Sequence, residues 1–275
     1  MNYRHAFHAG NFADCMKHAL LVWMVRALRR KPAPFRVLDT HAGAGAYDLG
    51  SEEARRGGEW QGGVGRVLDT TEGPLADYAA LARAAGAPAV YPGSPALVDA
   101  LLRPEDRLVC VELHPEEHAA LRDRFRADPR VSVHRRDGWE ALRALTPFPE
   151  RRGLVLIDPP FERPGEFERL LAGLSLVSRR FRGAVQAAWY PIKHRAPVRA
   201  FHEAVGAASL RDVVAAELWL REPTDPARLN GCGLLVVNPP WGFEAEAGGV
   251  LAALLDRLGA GEPGQGWAVS RIAEE

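Results

Sequence analysis

The chain is short of cysteine, of net charge and of long apolar runs, and each shortage removes a class of protein. Cys15, Cys110 and Cys232 are its three cysteines among 275 residues. An odd number without framework spacing excludes a disulfide scaffold and fits reduced thiols in a cytosol, so no disulfide is expected. Lys and Arg together number 35, as do Asp and Glu, so the formal charge is zero. Without a global field to attract a polyanion, any affinity for nucleic acid must come from local basic patches. Candidates are Arg26-Arg29-Arg30-Lys31, Arg122-Arg124-Arg126, Arg135-Arg136, Arg151-Arg152, Arg179-Arg180-Arg182 and Lys193-His194-Arg195, although such a cluster is more often a solvated face or a helix C-terminus than a phosphate site. No stretch approaches the ~20 apolar residues that span a bilayer, and the start is polar and His-rich. Neither signal peptide nor membrane anchor is expected, and a soluble, cytoplasmic protein is.

What is present is a large apolar fraction, 47%, enough for one main core with a small appendage. Asn11 can cap a helix whose apolar residues Phe12, Met16, Ala19, Leu20, Trp23, Val25 and Leu28 recur at helical spacing, and Pro32 and Pro34 stop it. Phe35–Leu38 then runs into Asp39 and the turn Thr40-His41-Ala42-Gly43-Ala44-Gly45, the pattern of a buried first strand of a parallel sheet. Strands are predicted at 108–111, 131–133, 154–157 and 184–189, with helical patterns between them. Residues 213–220 and 234–237, joined by a loop with Pro223, Pro226, Asn230 and Gly231, read as an antiparallel pair at one sheet edge. The alternation indicates a doubly wound, Rossmann-like α/β fold, mostly parallel with an antiparallel C-terminal edge pair. We assign 1–47 and 92–275 to this core and 48–91, rich in glycine and short helical patterns, to an inserted helical subdomain.

The Gly-rich turn lets backbone approach a nucleotide-like ligand. A dinucleotide fingerprint from Gly43 would need glycine at 43, 45 and 48, and position 48 is Asp, which disfavours a pyrophosphate. Gly43 and Gly45 behind Asp39 suit the zwitterionic methionine part of S-adenosylmethionine better, although a tight turn without ligand would look the same. Glu112 ends the next strand, where a carboxylate can accept from ribose hydroxyls, and Asp137-Gly138 ends the following one, where it can receive an adenine amino group. Asp158-Pro159-Pro160-Phe161 is delivered by four apolar residues to the carboxyl end of a strand, where α/β folds bind ligands. An exocyclic adenine amine is a poor nucleophile because its lone pair is delocalised. Bonds accepted by the Asp158 carboxylate and the Pro159 carbonyl would favour a pyramidal nitrogen, two prolines fix that backbone, and Phe161 offers a stacking face. A strand followed by a Pro-rich turn is the plain alternative. Asn238-Pro239-Pro240-Trp241 has the same outline, but it follows the edge hairpin and is taken as structural.

The segment from Tyr3 to His18 is dense in functional side chains. His5, His8, Cys15 and His18 could form a zinc site. The placement of Cys15 and His18 on the helix favours a second reading, with the segment lining the pockets, Lys17 and His18 near the cofactor, and Tyr3 or Arg4 near the substrate. No metal is therefore expected.

The chain resembles the bacterial 23S ribosomal RNA adenine-N6 methyltransferase family that modifies a helix of the large-subunit peptidyl-transferase domain. The words that carry it are Tyr3-Arg4-His5, His8-Ala9-Gly10-Asn11, Lys17-His18, Leu38–Gly45, Leu49-Gly50-Ser51-Glu52, Tyr91-Pro92-Gly93-Ser94-Pro95, Glu112-Leu113-His114-Pro115, Asp137-Gly138, Asp158-Pro159-Pro160, Trp189-Tyr190-Pro191 and Asn238-Pro239-Pro240-Trp241, in this order over essentially the full length. The resemblance implies a class I methyltransferase core with a helical insert, cofactor contacts from His18, His41, Ser94, Glu112, Asp137, Gly138 and Asp158, catalysis by Asp158, and Tyr3 near the RNA. It implies S-adenosylmethionine as cofactor, 23S ribosomal RNA before full subunit assembly as partner, and a monomer. Phe161 stands where the family commonly has tyrosine, which keeps the ring and loses a hydroxyl. A DNA adenine-N6 methyltransferase and a catalytically silent RNA-binding assembly factor are the alternatives.

Overall fold

A computed structural model describes residues 4–275. In chain order it contains α1 (Phe12–Arg29), β1 (Arg36–Asp39), β2 (Ala46–Asp48), α2 (Glu52–Gly57), α3 (Glu59–Gly62), α4 (Ala76–Ala84), β3 (Val90–Pro92), α5 (Ser94–Asp99), β4 (Arg107–Val111), α6 (Pro115–Phe125), β5 (Val131–His134), α7 (Gly138–Ala144), β6 (Gly153–Ile157), α8 (Glu166–Arg180), β7 (Ala184–Ile192), α9 (Arg195–Ala207), β8 (Val213–Trp219), β9 (Gly231–Val237), α10 (Phe243–Leu258) and β10 (Gly266–Ala273). The main sheet has the order β10-β8-β9-β7-β6-β1-β4-β5. Five strands from β5 to β7 pair in parallel, while β9 is antiparallel to both β7 and β8, and β10 is antiparallel to β8.

Alternate residues of the parallel strands β1, β4, β6 and β7 feed two apolar cores, one on each face of the sheet. Val37, Leu108, Leu154 and Leu156 join α1, α4 and α10 on one side. Leu38, Val109, Val155 and Ile157 join α7, α8 and α9 on the other. Helix α1 begins where Asn11, in extended conformation, accepts a bond from the Asp14 amide. It ends just before the proline pair and is buried along nearly its whole length, each large apolar side chain contributing about 1.5–3 kcal/mol.

Two details differ from the expectation. The antiparallel pair lies at the expected end of the sheet, but a third strand, β10, extends that edge beyond β8; its eight residues are half-buried or exposed in no regular alternation, which leaves no period for a strand assignment. Asn238 is remote from Asp158 for another reason than an edge position. Strand β9 lies inside the sheet but runs backwards, with Val237 paired to Gln186 near the start of β7, so Asn238 emerges at the opposite end of the strands.

Segment 48–91 leaves the core through β2 and returns through β3, an antiparallel pair in which Asp48 faces Val90. Its buried residues Val64, Val67, Leu75, Tyr78, Ala79 and Ala82 belong to the same apolar cluster as α1. The segment also fits closely over the N-terminal motif. A Cβ on Gly57 would lie 2.0 Å from the Phe7 carbonyl oxygen, and one on Gly63 would lie 2.1 Å from that of Gly10.

Candidate functional site

Every parallel strand delivers its last residue to one edge of the sheet, and the chemistry-bearing residues collect there. Asp39, closing β1, is fully buried. Its Oδ2 accepts a 2.6 Å bond from the Ser94 hydroxyl at the start of α5, and its Oδ1 accepts from the His41 amide at 3.3 Å. Burial pushes the Asp39 carboxyl up to about 7, against the lowering effect of the Ser94 bond. Beyond it Gly43 adopts φ +58°, and a Cβ there would lie 2.1 Å from the Tyr47 hydroxyl, so only glycine fits.

Glu112, just past β4, holds this turn from the neighbouring strand. Its Oε2 accepts from the Gly43 amide at 2.8 Å and its Oε1 from the His114 amide at 2.7 Å. Asp137 caps α7, with Oδ1 taking the Trp139 and Glu140 amides at 2.8 and 3.3 Å. Gly138 brings that helix start against the first turn; a Cβ would lie 2.3 Å from the Thr40 carbonyl oxygen and 2.8 Å from His41 Cε1. The His41 ring meets the edge of Trp139, and burial holds it down at about 4, so it stays neutral near pH 7.

Asp158 follows β6, the strand beside β1. Its Oδ2 accepts a 2.5 Å bond from Lys17 Nζ, which also donates to Asp14 Oδ1 at 2.9 Å. Lys17 and Asp14 are almost wholly buried, their side chains 6% and 2% exposed. Burial opposes the charged form of Lys17, but the two carboxylates outweigh it and raise its pKa. Burial likewise opposes ionisation of Asp14, but His5 and Lys17 hold its pKa well below the usual carboxylate range. His5 Nε2 lies 2.9 Å from Asp14 Oδ2, and the Gly10 amide donates to that same oxygen at 2.9 Å. The N-terminal motif is thereby wired to Asp158 through one buried carboxylate and one buried ammonium.

Phe161 has φ +51°, a left-handed backbone uncommon for a bulky residue. It packs its ring edge-on to Trp189 on β7, at 5.9 Å, and to Phe167, at 5.1 Å. Pro159 is buried directly after Asp158.

Lys17, His41, Gly43, Ser94, Glu112, Asp137, Gly138 and Asp158 thus share the carboxyl edge, with Lys17 committed to Asp158. His18 sits differently: its Nδ1 is 2.6 Å from the Tyr91 hydroxyl, which meets that of Tyr78 at 2.9 Å. Burial lowers the His18 pKa to about 3, so a neutral ring backs the segment leading to Ser94 from inside. Arg4 is exposed and bonds Glu116 at 3.4 Å, close to the Glu112 rim. Tyr3 lies outside the described residues. The four residues of the zinc alternative turn to separate partners: His5 to Asp14, His8 Nδ1 to Glu59 at 2.8 Å, Cys15 to the Gly10 carbonyl at 3.8 Å, and His18 to Tyr91. Among the described residues no group of three or more His, Cys, Asp or Glu is placed to hold a metal ion.

Asp14, Glu59, Trp139 and Trp189 were missed as site residues. Asp14 had a sequence signal, an acidic residue three before Lys17 on one helix face. Glu59 had none, since it reaches His8 and Asn11 across about fifty residues.

Acidic side chains at three neighbouring strand ends, behind a glycine turn too tight for a side chain, suit a ligand with hydroxyls, amines and positive charge rather than a phosphate. With this strand order they define a class I S-adenosylmethionine-dependent methyltransferase. The family described as ribosomal RNA large subunit methyltransferase D, RlmJ, matches residues 32–272. The chain is 37% identical to the ribosomal RNA large subunit methyltransferase J of Escherichia coli strain K12, over 98% of this chain and 99% of that one. It is 34% identical to the Haemophilus influenzae protein of the same name, over the full length of both. A crystal structure of a Legionella pneumophila protein superposes with a TM-score of 0.88 at 31% identity, covering 96% of this chain and 98% of that one. The chain belongs to this ribosomal RNA large subunit methyltransferase family.

Proposed function

We propose that the protein transfers a methyl group from S-adenosylmethionine to the N6 amine of an adenine in 23S ribosomal RNA, acting as a monomer on RNA not yet fully assembled into a subunit. The observation that carries the reading is the Asp158 carboxylate, fixed through Oδ2 by the buried Lys17 at the ligand edge of the sheet, with the Phe161 ring in the same turn. The cofactor, when bound, supplies a methyl group already activated by its sulfonium.

The residues of the chain have separable tasks. Glu112, Asp137 and Gly138 take the adenosine end, and Asp39, Ser94, His41 and Gly43 the amino-acid end. Lys17 orients Asp158 so that its other oxygen, together with the Pro159 carbonyl, accepts from the amine and turns the nitrogen lone pair outward. Phe161 stacks on the extruded base, and Tyr3 and Arg4 contact the RNA. Positioning is the main catalytic device, and the amine proton leaves to Asp158 or to water. Residues 48–91 act as the unit that clamps the N-terminal motif over this site.

The test is transfer of labelled methyl to unmodified 23S ribosomal RNA, followed by nucleoside analysis, with matched DNA and Asp158→Ala. We expect N6-methyladenosine in RNA from wild type alone, with Asp158→Ala folded, binding cofactor and slower by about 10²–10⁴-fold. Methyl transfer to DNA in preference to RNA would replace the substrate, and absence of cofactor binding would favour a silent RNA-binding role.

A further inference from the structure

Strand β7 outruns its neighbour. Ala188 pairs with Ile157, the last residue of β6, yet β7 continues to Ile192. At about 3.3 Å per residue, Lys193 stands about 13 Å beyond the level at which Asp158 leaves the sheet. This extension forms one wall of the site, because Trp189, at its root, packs on Phe161.

The top of the wall is built rigidly. Asn230, fully buried, donates from its side-chain amide to the carbonyls of Lys193 and Asp225, both at 2.8 Å, and its own amide donates to the Ile192 carbonyl. The turn 225–228, closed by the Arg228 amide on the Asp225 carbonyl and held by Pro223 and Pro226, is thereby stapled beside Lys193. Two neighbouring cations are spoken for: Arg221 pairs with Glu262 at 3.0 Å, and Arg195 lies over the Trp219 ring at 3.9 Å and 4.0 Å from Glu217. Lys193 and Arg228 are exposed and form no ion pair within 4 Å among the described residues.

We propose that Lys193 and Arg228 form a phosphate-binding ledge that grips the RNA backbone a few nucleotides from the flipped adenine. The inference rests on the proposed function for the identity of the polyanion, and names the part of that site that holds it. Because the chain has no net charge, attraction of RNA depends on cations outside close ion pairs, and these two, with Glu262 acting on Arg228 only at longer range, stand on the wall of the site on a backbone locked by one buried amide. Their contacts would be with phosphate oxygens and indifferent to sequence.

The test uses the full chain and compares wild type with Lys193→Ala/Arg228→Ala in methylation of unmodified 23S ribosomal RNA and in direct RNA binding without cofactor, both across a salt series. We expect the KM and the RNA Kd of the double variant to rise about 10–30-fold, with kcat and cofactor affinity unchanged. The slope of log Kd against log salt should fall by about 1.4, two phosphate contacts at ~0.7 each for single-stranded RNA. Lys193→Arg/Arg228→Lys should restore both. An unchanged Kd and slope in the folded double variant would overturn the ledge whatever the activity. Should wild type bind RNA with the expected slope difference yet transfer no methyl to it, the ledge would stand and the proposed reaction would fall.

Discussion

Replacing Lys17 with methionine isolates the centre of the site in one perturbation. The substitution keeps the volume of the side chain and removes the ammonium that lies 2.9 Å from Asp14 and 2.5 Å from Asp158. Asp14, 2% exposed, then keeps His5 and the Gly10 amide as partners of its carboxylate. Removing one member of a buried ion pair costs about 3–5 kcal/mol, because the remaining charge stays out of water. In a chain of this size that lowers Tm by about 6–20 °C.

The pH dependence gives the argument its sign. In wild type the depressed Asp14 pKa contributes stability that is present above the ordinary carboxylate value and lost as pH falls through the folded one. Without Lys17, burial becomes the dominant influence on Asp14 and raises its pKa, so the deficit should be small near pH ~4 and grow as pH rises toward ~8. Thermal unfolding at both ends of this range, for wild type, Lys17→Met, Asp14→Asn and the double variant, measures it. The double variant should recover part of the loss, since no buried charge is left unpaired. Equal Tm values for wild type and Lys17→Met, or a deficit independent of pH, would refute the buried relay.

Three further outcomes follow from the same geometry. Burial pushes the Asp39 carboxyl up to about 7, and a cationic cofactor favours its ionised form, so cofactor Kd should weaken about tenfold between pH ~8 and ~6; calorimetric titration measures this, and Asp39→Asn should remove the dependence. Gly138→Ala should cost about 1–3 kcal/mol in denaturant unfolding and weaken the cofactor, because the new methyl would press on the Thr40 carbonyl and the His41 ring; unchanged unfolding would show that α7 can retreat. Glu59 raises the His8 pKa through their hydrogen bond while its own is lowered against burial. The clamp is therefore complete between the two values and weakens as pH rises through that of His8, so limited proteolysis at the N-terminus should distinguish Glu59→Gln from wild type at pH ~6 more than at pH ~9.

The helix cap, the first strand and the motif-bearing strand ends were legible because their causes are local. Asn11 caps through an amide three residues on, and Pro32 and Pro34 stop α1 wherever it packs. The turn from Asp39 to Gly45 reads as glycine-dependent in the chain, and Gly43 and Gly45 take positive φ. Strand β10 was not legible because an edge strand needs no continuous apolar run, only a partner with free backbone groups, which β8 supplies.

Sequence alone determined the fold class, the family and the list of chemistry-bearing residues, since these depend on periodicity, caps and unusual words in a fixed order. Tertiary structure decided where those residues sit and which partners they bond. Lys17 reads as a cofactor contact beside His18, yet it closes on Asp158, 141 residues away, while His18, its neighbour in the chain, turns inward to Tyr91. Which of two adjacent polar side chains faces the ligand edge depends on how α1 is rotated against the sheet, and that rotation is set by the whole apolar surface it buries. The same holds for Glu59 on the N-terminal motif and for the ledge held by Asn230, where contacts distant in sequence leave no local periodicity.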